Sequence, residues 1–138
     1  MNKEKFVHIS VFLLRIVAGG IFIENGGLKL FGWFGGMPGG ESLPPLIMVA
    51  GILEFFGGIA ILTGLFTRPV AFLLSGEMAV AYFIGHVSQG HFFVPLLNKG
   101  QPAVLLCFIF LFFTAYGAGE WSIDAILKMR NANNRKTN

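Results

Sequence analysis

Apolar runs broken by single charged or titratable residues organise this chain. The runs cover roughly residues 6–30, 45–66, 69–87 and 102–118. A helix needs about 20 apolar residues to cross a hydrocarbon core about 30 Å thick. The first three runs meet that length, and the fourth approaches it only by continuing past Tyr116. Pro45, Pro69 and Pro102 each stand near the start of a run, where a missing N–H costs a helix least. The connections are short, and Thr67–Arg68–Pro69 makes the tightest. Short connections place successive helices antiparallel. The pattern therefore predicts an all-α protein, a four-transmembrane-helix up-down antiparallel bundle over residues 1–127. A basic tail, 128–138, follows without expected regular structure.

Glycines add a packing register. Gly19 and Gly26, Gly20 and Gly27, and Gly51 and Gly58 are spaced seven apart, nearly two helical turns, so each pair marks one face suited to close helix contact. Ala60 with Gly64 and Ala81 with Gly85 give the four-residue version. Between the first two runs, residues 32–40 combine Trp33 and Phe34 with five glycines and Pro38. The aromatics suit a membrane interface, and the glycines exclude a regular helix. This stretch reads as a surface loop or as a flap over a cavity.

Composition strengthens the membrane reading. Hydrophobic residues make up 54% of the 138 residues and charged residues 12%, with a mean hydropathy of +0.71. A soluble domain carries about twice that charged fraction. The net charge of +3 informs topology rather than nucleic-acid affinity. With four crossings, Lys3, Lys5, Arg68, Lys128, Arg130, Arg135 and Lys136 share one side, whereas Lys29 and Lys99 lie on the other. Basic residues collect on cytoplasmic segments, so both termini are expected inside, in what reads as a bacterial inner membrane. Lys3 and Lys5 precede the first run as in a signal peptide, yet Arg15 sits in its middle and no small-x-small cleavage site follows. A retained span is expected. Cys107 is the only cysteine, which excludes intramolecular dithiol chemistry.

The chemistry lies in the interruptions. Arg15, Glu24, Glu54 and Glu77 fall within apolar runs, and His86 near the end of one. Ionisable groups at such depth face a bundle interior, pair with each other or line a ligand path. Counted at 1.5 Å per residue, Arg15 and Glu77 both lie roughly 12–14 Å from the inner boundary, with Glu54 near mid-membrane. An Arg15–Glu77–Glu54 network is the expected result, because a guanidinium fork matches carboxylates. Glu54 is the preferred proton or head-group contact, since one arginine cannot neutralise two acids. A purely structural ion network is the plainer alternative. A second tier, formed by Glu24 and His86 with Lys29, His91 and Asn98, is expected nearer the outer boundary as a ligand and proton path. Glu24, His86 and His91 lack the spacing of a metal site, so no metal is assigned. The histidines sit at unmatched depths for a haem pair, and no phosphate-cradling loop is present.

Read against known families, the chain resembles the DoxX family of small four-helix membrane proteins. The resemblance rests on Leu14-Arg15 through Gly19, Phe22 and Gly26 to Lys29-Leu30-Phe31-Gly32-Trp33-Phe34-Gly35-Gly36. It continues with Gly51-Ile52-Leu53-Glu54, Gly57-Gly58 and Gly64-Leu65-Phe66-Thr67-Arg68. Further along it takes in Gly76, Met78 through Phe83, His86, Gly90, Phe92-Phe93, Pro95, Asn98, Gly100, Gly117, Gly119 and Ser122-Ile123-Asp124. The chain departs from the pattern in carrying Glu24 where members often have His, Gln101 where they have an acid, and an unexpected charge at Glu77.

The family name comes from a quinone-linked sulfur oxidoreductase subunit, so the resemblance implies a membrane subunit of a redox system. Such a subunit would bind a quinone or similar small molecule, work with a redox partner protein, and could form a homodimer. The chain supplies no electron carrier: it has no haem pair, cysteine cluster or dinucleotide motif. Catalysis by the chain itself is therefore left open. A carrier for a small polar molecule or ion, and a non-catalytic scaffold, stand as the alternatives.

Overall fold

The computed structural model describes residues 2–37 and 43–136. All regular structure among these residues is helical. α1 spans Lys3–Phe31, α2 Pro45–Thr63, α3 Thr67–Ala81, α4 Gln101–Tyr116 and α5 Ile123–Asn134. The part of the glycine-rich stretch from Pro38 to Ser42 lies outside the described residues, as does the end of the tail at Thr137 and Asn138.

Local chemistry sets the helix ends. Asn2 caps α1 by accepting from the Lys5 amide at 2.9 Å, as side-chain oxygens do at helix starts. Gly64 ends α2 in the left-handed region, φ 71°, donating its N–H to the Ala60 and Ile61 carbonyls. A β-carbon at Gly64 would also fall 2.5 Å from the Ser122 β-carbon. Glycine is therefore required there by both conformation and space.

The α3 start is held from the far end of the chain. Asp124 accepts from the Phe66 and Thr67 amides at 2.8 and 2.9 Å, and its own amide donates to the Gly64 carbonyl at 2.9 Å. Carboxylates at helix N-termini meet unpaired amides and a favourable dipole. Asp124→Ala is therefore expected to cost about 1–2 kcal/mol, read as a lowered midpoint in thermal unfolding of detergent-solubilised protein. An unchanged midpoint would contradict this role.

α1 packs along α2 and α3 along α4, with a lighter contact joining α2 to α3. Gly19 lies against Gly58 and Leu62, and Gly51 against Lys29 and Leu30, so α1 and α2 run antiparallel. In the second pair, the Ser75 hydroxyl donates to the Cys107 carbonyl at 2.9 Å, and Tyr82 lies against Gly100. These contacts also define an antiparallel pair. Gly57 meets Leu74 where α2 and α3 approach.

Phe22, Ile61, Ala71, Leu74, Phe110 and Phe113 are fully buried. Phe22 and Phe110 meet edge to face with ring centroids 4.5 Å apart. This core fills the half of the molecule nearer both termini. In the other half, a cleft separates the start of α2 from the end of α3.

Three helical segments are long and apolar enough to cross a membrane: Lys3–Phe31, Pro45–Thr63 and Thr67–His86. α4 is apolar but has only 16 residues, about 24 Å at 1.5 Å per residue. It begins at Gln101, after turns over residues 87–100 with His91 and Lys99 in the left-handed region, and stops short of residue 118 because Gly117, φ 92°, ends it. The tail also differs from expectation. α5 carries helix through Lys128 to Asn134, started by Ser122, whose hydroxyl accepts from the Ala125 amide at 3.2 Å.

Candidate functional site

The site is the cleft between the first half of α2 and the second half of α3, a cavity of about 620 Å³. Its walls are Leu46, Ile47, Val49, Ala50 and Leu53 from α2, facing Phe72, Leu73, Met78, Val80, Ala81 and Ile84. Leu46, Val49, Phe72, Leu73, Val80 and Ile84 are also exposed on the outer surface, so the cleft opens sideways, between helices. Its polar groups are Lys29, Glu54, Glu77 and His86.

Each polar group arrives by a different route. Lys29, in the last turn of α1, reaches across to α2 and donates to Glu54 in a hydrogen-bonded ion pair. Glu54 is 3% exposed and sits on the α2 face that carries Gly51 and Gly58, where the missing side chains let α1 come close. Glu77 projects from α3, within electrostatic reach of both Glu54 and Lys29. Both of its carboxyl oxygens are buried, and neither has a hydrogen-bond partner among the described residues.

His86 closes a π-helical turn, Tyr82–His86, in which the Val87 amide donates back to the Tyr82 carbonyl. Such turns insert an extra residue and often occur at functional sites. Here the insertion precedes the ring that lines the cleft. His86 Nδ1 lies 2.9 Å from the Asn98 carbonyl. A carbonyl only accepts, so Nδ1 carries a hydrogen.

The remaining sequence-nominated residues are placed elsewhere. Arg15 is 1% exposed and contacts neither Glu54 nor Glu77. Its Nε donates to the Leu62 carbonyl at 3.4 Å and its Nη2 to the Trp121 carbonyl at 2.5 Å. Nη1 donates to the Ala118 carbonyl. The register explains the difference: the neighbouring turn of α1 packs at Leu62, eight residues from Glu54 along α2, a rise of about 12 Å. Arg15 therefore ties the end of α2 to the segment after α4, and the expected Arg15–Glu77–Glu54 network is replaced by Lys29–Glu54 with Glu77 beside it.

Glu24 is exposed on α1 and does not line the cleft. The His91 side chain is exposed, and only its carbonyl is used, accepting from Asn98 Nδ2 at 3.3 Å. Asn98 is buried and knots the turn segment: it also donates to the Tyr82 hydroxyl at 3.3 Å and accepts from the Gly100 amide at 2.9 Å. Tyr82 in turn donates to the Phe92 carbonyl at 2.5 Å. Asn98 thus reaches the cleft only through its carbonyl on His86. Among the described residues, no group of three or more His, Cys, Asp or Glu side chains could hold a metal ion.

The comparisons with known proteins bear on the same elements. A protein of Haemophilus influenzae, described only as uncharacterized, is 41% identical over 126 residues, covering 89% of this chain and 94% of its own. Inner membrane protein YqjF of Escherichia coli strain K12 is 30% identical over 135 residues, covering 92% of this chain and 98% of its own. No solved structure matches the chain. The DoxX family profile matches residues 10–87, the stretch from α1 through the π-helical turn that contains Lys29, Glu54, Glu77 and His86. With more than half its length matched and helices suited to lipid, the chain is a membrane protein belonging to the DoxX family.

Proposed function

We propose that this protein binds the head ring of a quinone, or a similar lipid-soluble ring, in the α2–α3 cleft as the membrane subunit of a redox system. One observation carries the reading: an apolar cleft open sideways, with Lys29, Glu54 and Glu77 at its polar end. A lipid-soluble molecule can enter between α2 and α3 without crossing water, lay its tail along Leu46, Val49 and Phe72, and present its ring oxygens to Lys29. Glu54 holds the ammonium in place, Glu77 lies buried behind them, and His86 stands at the turn beyond. Ligand sites of this kind are mostly apolar with few orienting polar groups. Electrons come from a partner protein, because the chain carries a single cysteine and no dinucleotide motif.

In this reading all four helices of the two antiparallel pairs cross the bilayer, and the termini share the side holding Arg68 and α5. The excess of basic residues on that side makes it cytoplasmic. The relative named as an inner membrane protein supports the same membrane for this chain.

Quinone binding to purified protein in nanodiscs tests the site. Lys29→Met removes the cation that a ring carbonyl would contact. A hydrogen bond to a charged group contributes about 1.5–3 kcal/mol, so affinity is expected to fall roughly 10- to 100-fold. Glu54→Gln frees the ammonium and is expected to weaken binding less. Failure of the wild type to retain or bind any quinone would refute the reading, as would full affinity in a folded Lys29→Met variant.

A further inference from the structure

A second cavity, of about 560 Å³, lies at the end of the molecule nearer both termini, apart from the α2–α3 cleft. The start of α3, the end of α4, the first half of α5 and His8 of α1 form it. Two exposed cations line it, Arg68 and Lys128. The Arg68 guanidinium lies along the end of α4, where its Nη2 donates to the Tyr116 carbonyl at 3.3 Å. A guanidinium has five N–H donors and an ammonium three, so both cations keep donors to offer. Neither is ion-paired among the described residues.

The two acids of the lining are engaged. Asp124 accepts from the Phe66 and Thr67 amides and faces the charge of Arg15. Glu120 lies 3.4 Å from His8 Nε2. With His8 neutral, Arg68, Lys128 and Arg15 set against Asp124 and Glu120 leave one positive charge in excess. That excess matches a singly charged phosphodiester. An apolar track leads away from the cavity along α4. Tyr116, Phe112 and Phe108 repeat every four residues on one helix face, and all three are exposed. Tyr116 also lines the cavity, and its ring stacks on Phe112 with centroids 5.4 Å apart.

We infer that this cavity is a headgroup site for a net-anionic phospholipid. Its phosphodiester sits between Arg68 and Lys128, and an acyl chain runs along Tyr116, Phe112 and Phe108. A guanidinium fork suits phosphate oxygens, interfacial Lys and Arg attract anionic lipids, and tyrosine suits the headgroup level. A zwitterionic headgroup brings its own cation beside Arg68 and loses much of the attraction. Free phosphate meets the same cations but leaves the aromatic track unused.

Native mass spectrometry of the protein in mild detergent tests the site, with equimolar dioleoyl-phosphatidylglycerol and dioleoyl-phosphatidylcholine as probes. Wild-type protein is expected to retain one phosphatidylglycerol, preferred roughly 10- to 30-fold, the size that two interfacial cations give. Lys128→Gln breaks no ion pair of the fold and should cut that preference about fivefold. Arg68→Gln should do at least as much. Arg130→Gln removes another exposed cation of α5, one that does not line the cavity, and should leave the preference within about twofold.

Equal retention of the two lipids by the wild type would overturn the site. Equal losses in Lys128→Gln and Arg130→Gln would also overturn it, reducing the preference to diffuse attraction by a basic surface. Inorganic phosphate in excess should not displace the retained lipid. Displacement would assign the cavity to a free anion instead and overturn the lipid reading. None of these outcomes bears on ligand binding in the α2–α3 cleft, which shares no residue with this cavity.

Discussion

Arg15→Met is expected to lower stability by about 3–5 kcal/mol, the largest effect of any single substitution considered for this chain. The methionine fills similar volume but leaves the Leu62, Ala118 and Trp121 carbonyls without their donors. Each buried acceptor so stranded costs about 1–3 kcal/mol, with the lower figure suited to the partly buried Leu62 and Trp121 carbonyls. The substitution also removes the positive charge that faces Asp124, the residue that caps α3. Damage should thus spread from the end of α2 to the start of α3.

Arg15→Lys keeps the charge but not the planar fork that serves three carbonyls, and is expected to recover only part of the loss. Thermal unfolding in a mild detergent, followed by helical circular dichroism, measures both variants. An Arg15→Met protein that melts like the wild type but loses ligand binding in the cleft would reverse the assignment, placing Arg15 in the site rather than in the frame.

The second large effect concerns two adjacent glycines with opposite surroundings. A β-carbon at Gly19 would lie 2.8 Å from both the Gly58 carbonyl oxygen and the Leu62 amide nitrogen. These are backbone atoms that cannot rotate away. At Gly20, nothing lies within 4 Å of the same added atom. Gly19→Leu therefore forces α1 and α2 apart and is expected to cost about 3 kcal/mol, the upper end of ordinary overpacking. Gly20→Leu points outward and should be neutral, or gain up to about 1 kcal/mol from helix propensity. Midpoints measured side by side decide the matter. Equal losses at the two positions would mean that the close approach of α1 and α2 is wrong.

These cases show where the sequence was informative. Helix positions are legible because apolar runs bounded by proline and glycine have few alternatives in lipid, but Gly64, expected as a packing residue within the second run, instead ends α2 in the left-handed region. Glu54, Glu77 and His86 are legible as polar interruptions for the same reason, being costly in an apolar run, although the sequence places Lys29 and His86 in a separate tier from the two acids. Their pairing is not, because depth counted along separate helices ignores how the helices slide past each other.

Packing of Gly26 against Phe55 and of Gly51 against Lys29 places Glu54 about one turn from Lys29 and far from Arg15. The seven-residue spacings Gly19/Gly26 and Gly51/Gly58 hold that register once the antiparallel pair is aligned, whereas the third does not: Gly20 faces open space and Gly27 faces the Trp33 ring. Uncapped carbonyls after α4 are likewise invisible as a target for Arg15, since backbone groups leave no letter in the sequence. Segment 87–100 reads only as the connection between two runs, and the convergence of its hydrogen bonds on Asn98 has no sequence signal. α5 escapes a composition-based reading because its start depends on one serine hydroxyl.

The sideways opening of the cleft changes what concentration means for this protein. Six of its wall residues are exposed on helices suited to lipid, so a ligand bound there as proposed would compete with lipid tails rather than with water. Occupancy then follows the ligand's mole fraction among the lipids. Diluting proteoliposomes in buffer should leave a strongly partitioning ligand in place, whereas adding empty vesicles or excess detergent should strip it. Thorough purification could thus empty the site without harming the protein, and affinities expressed per volume of buffer would differ between preparations that share the same binding free energy.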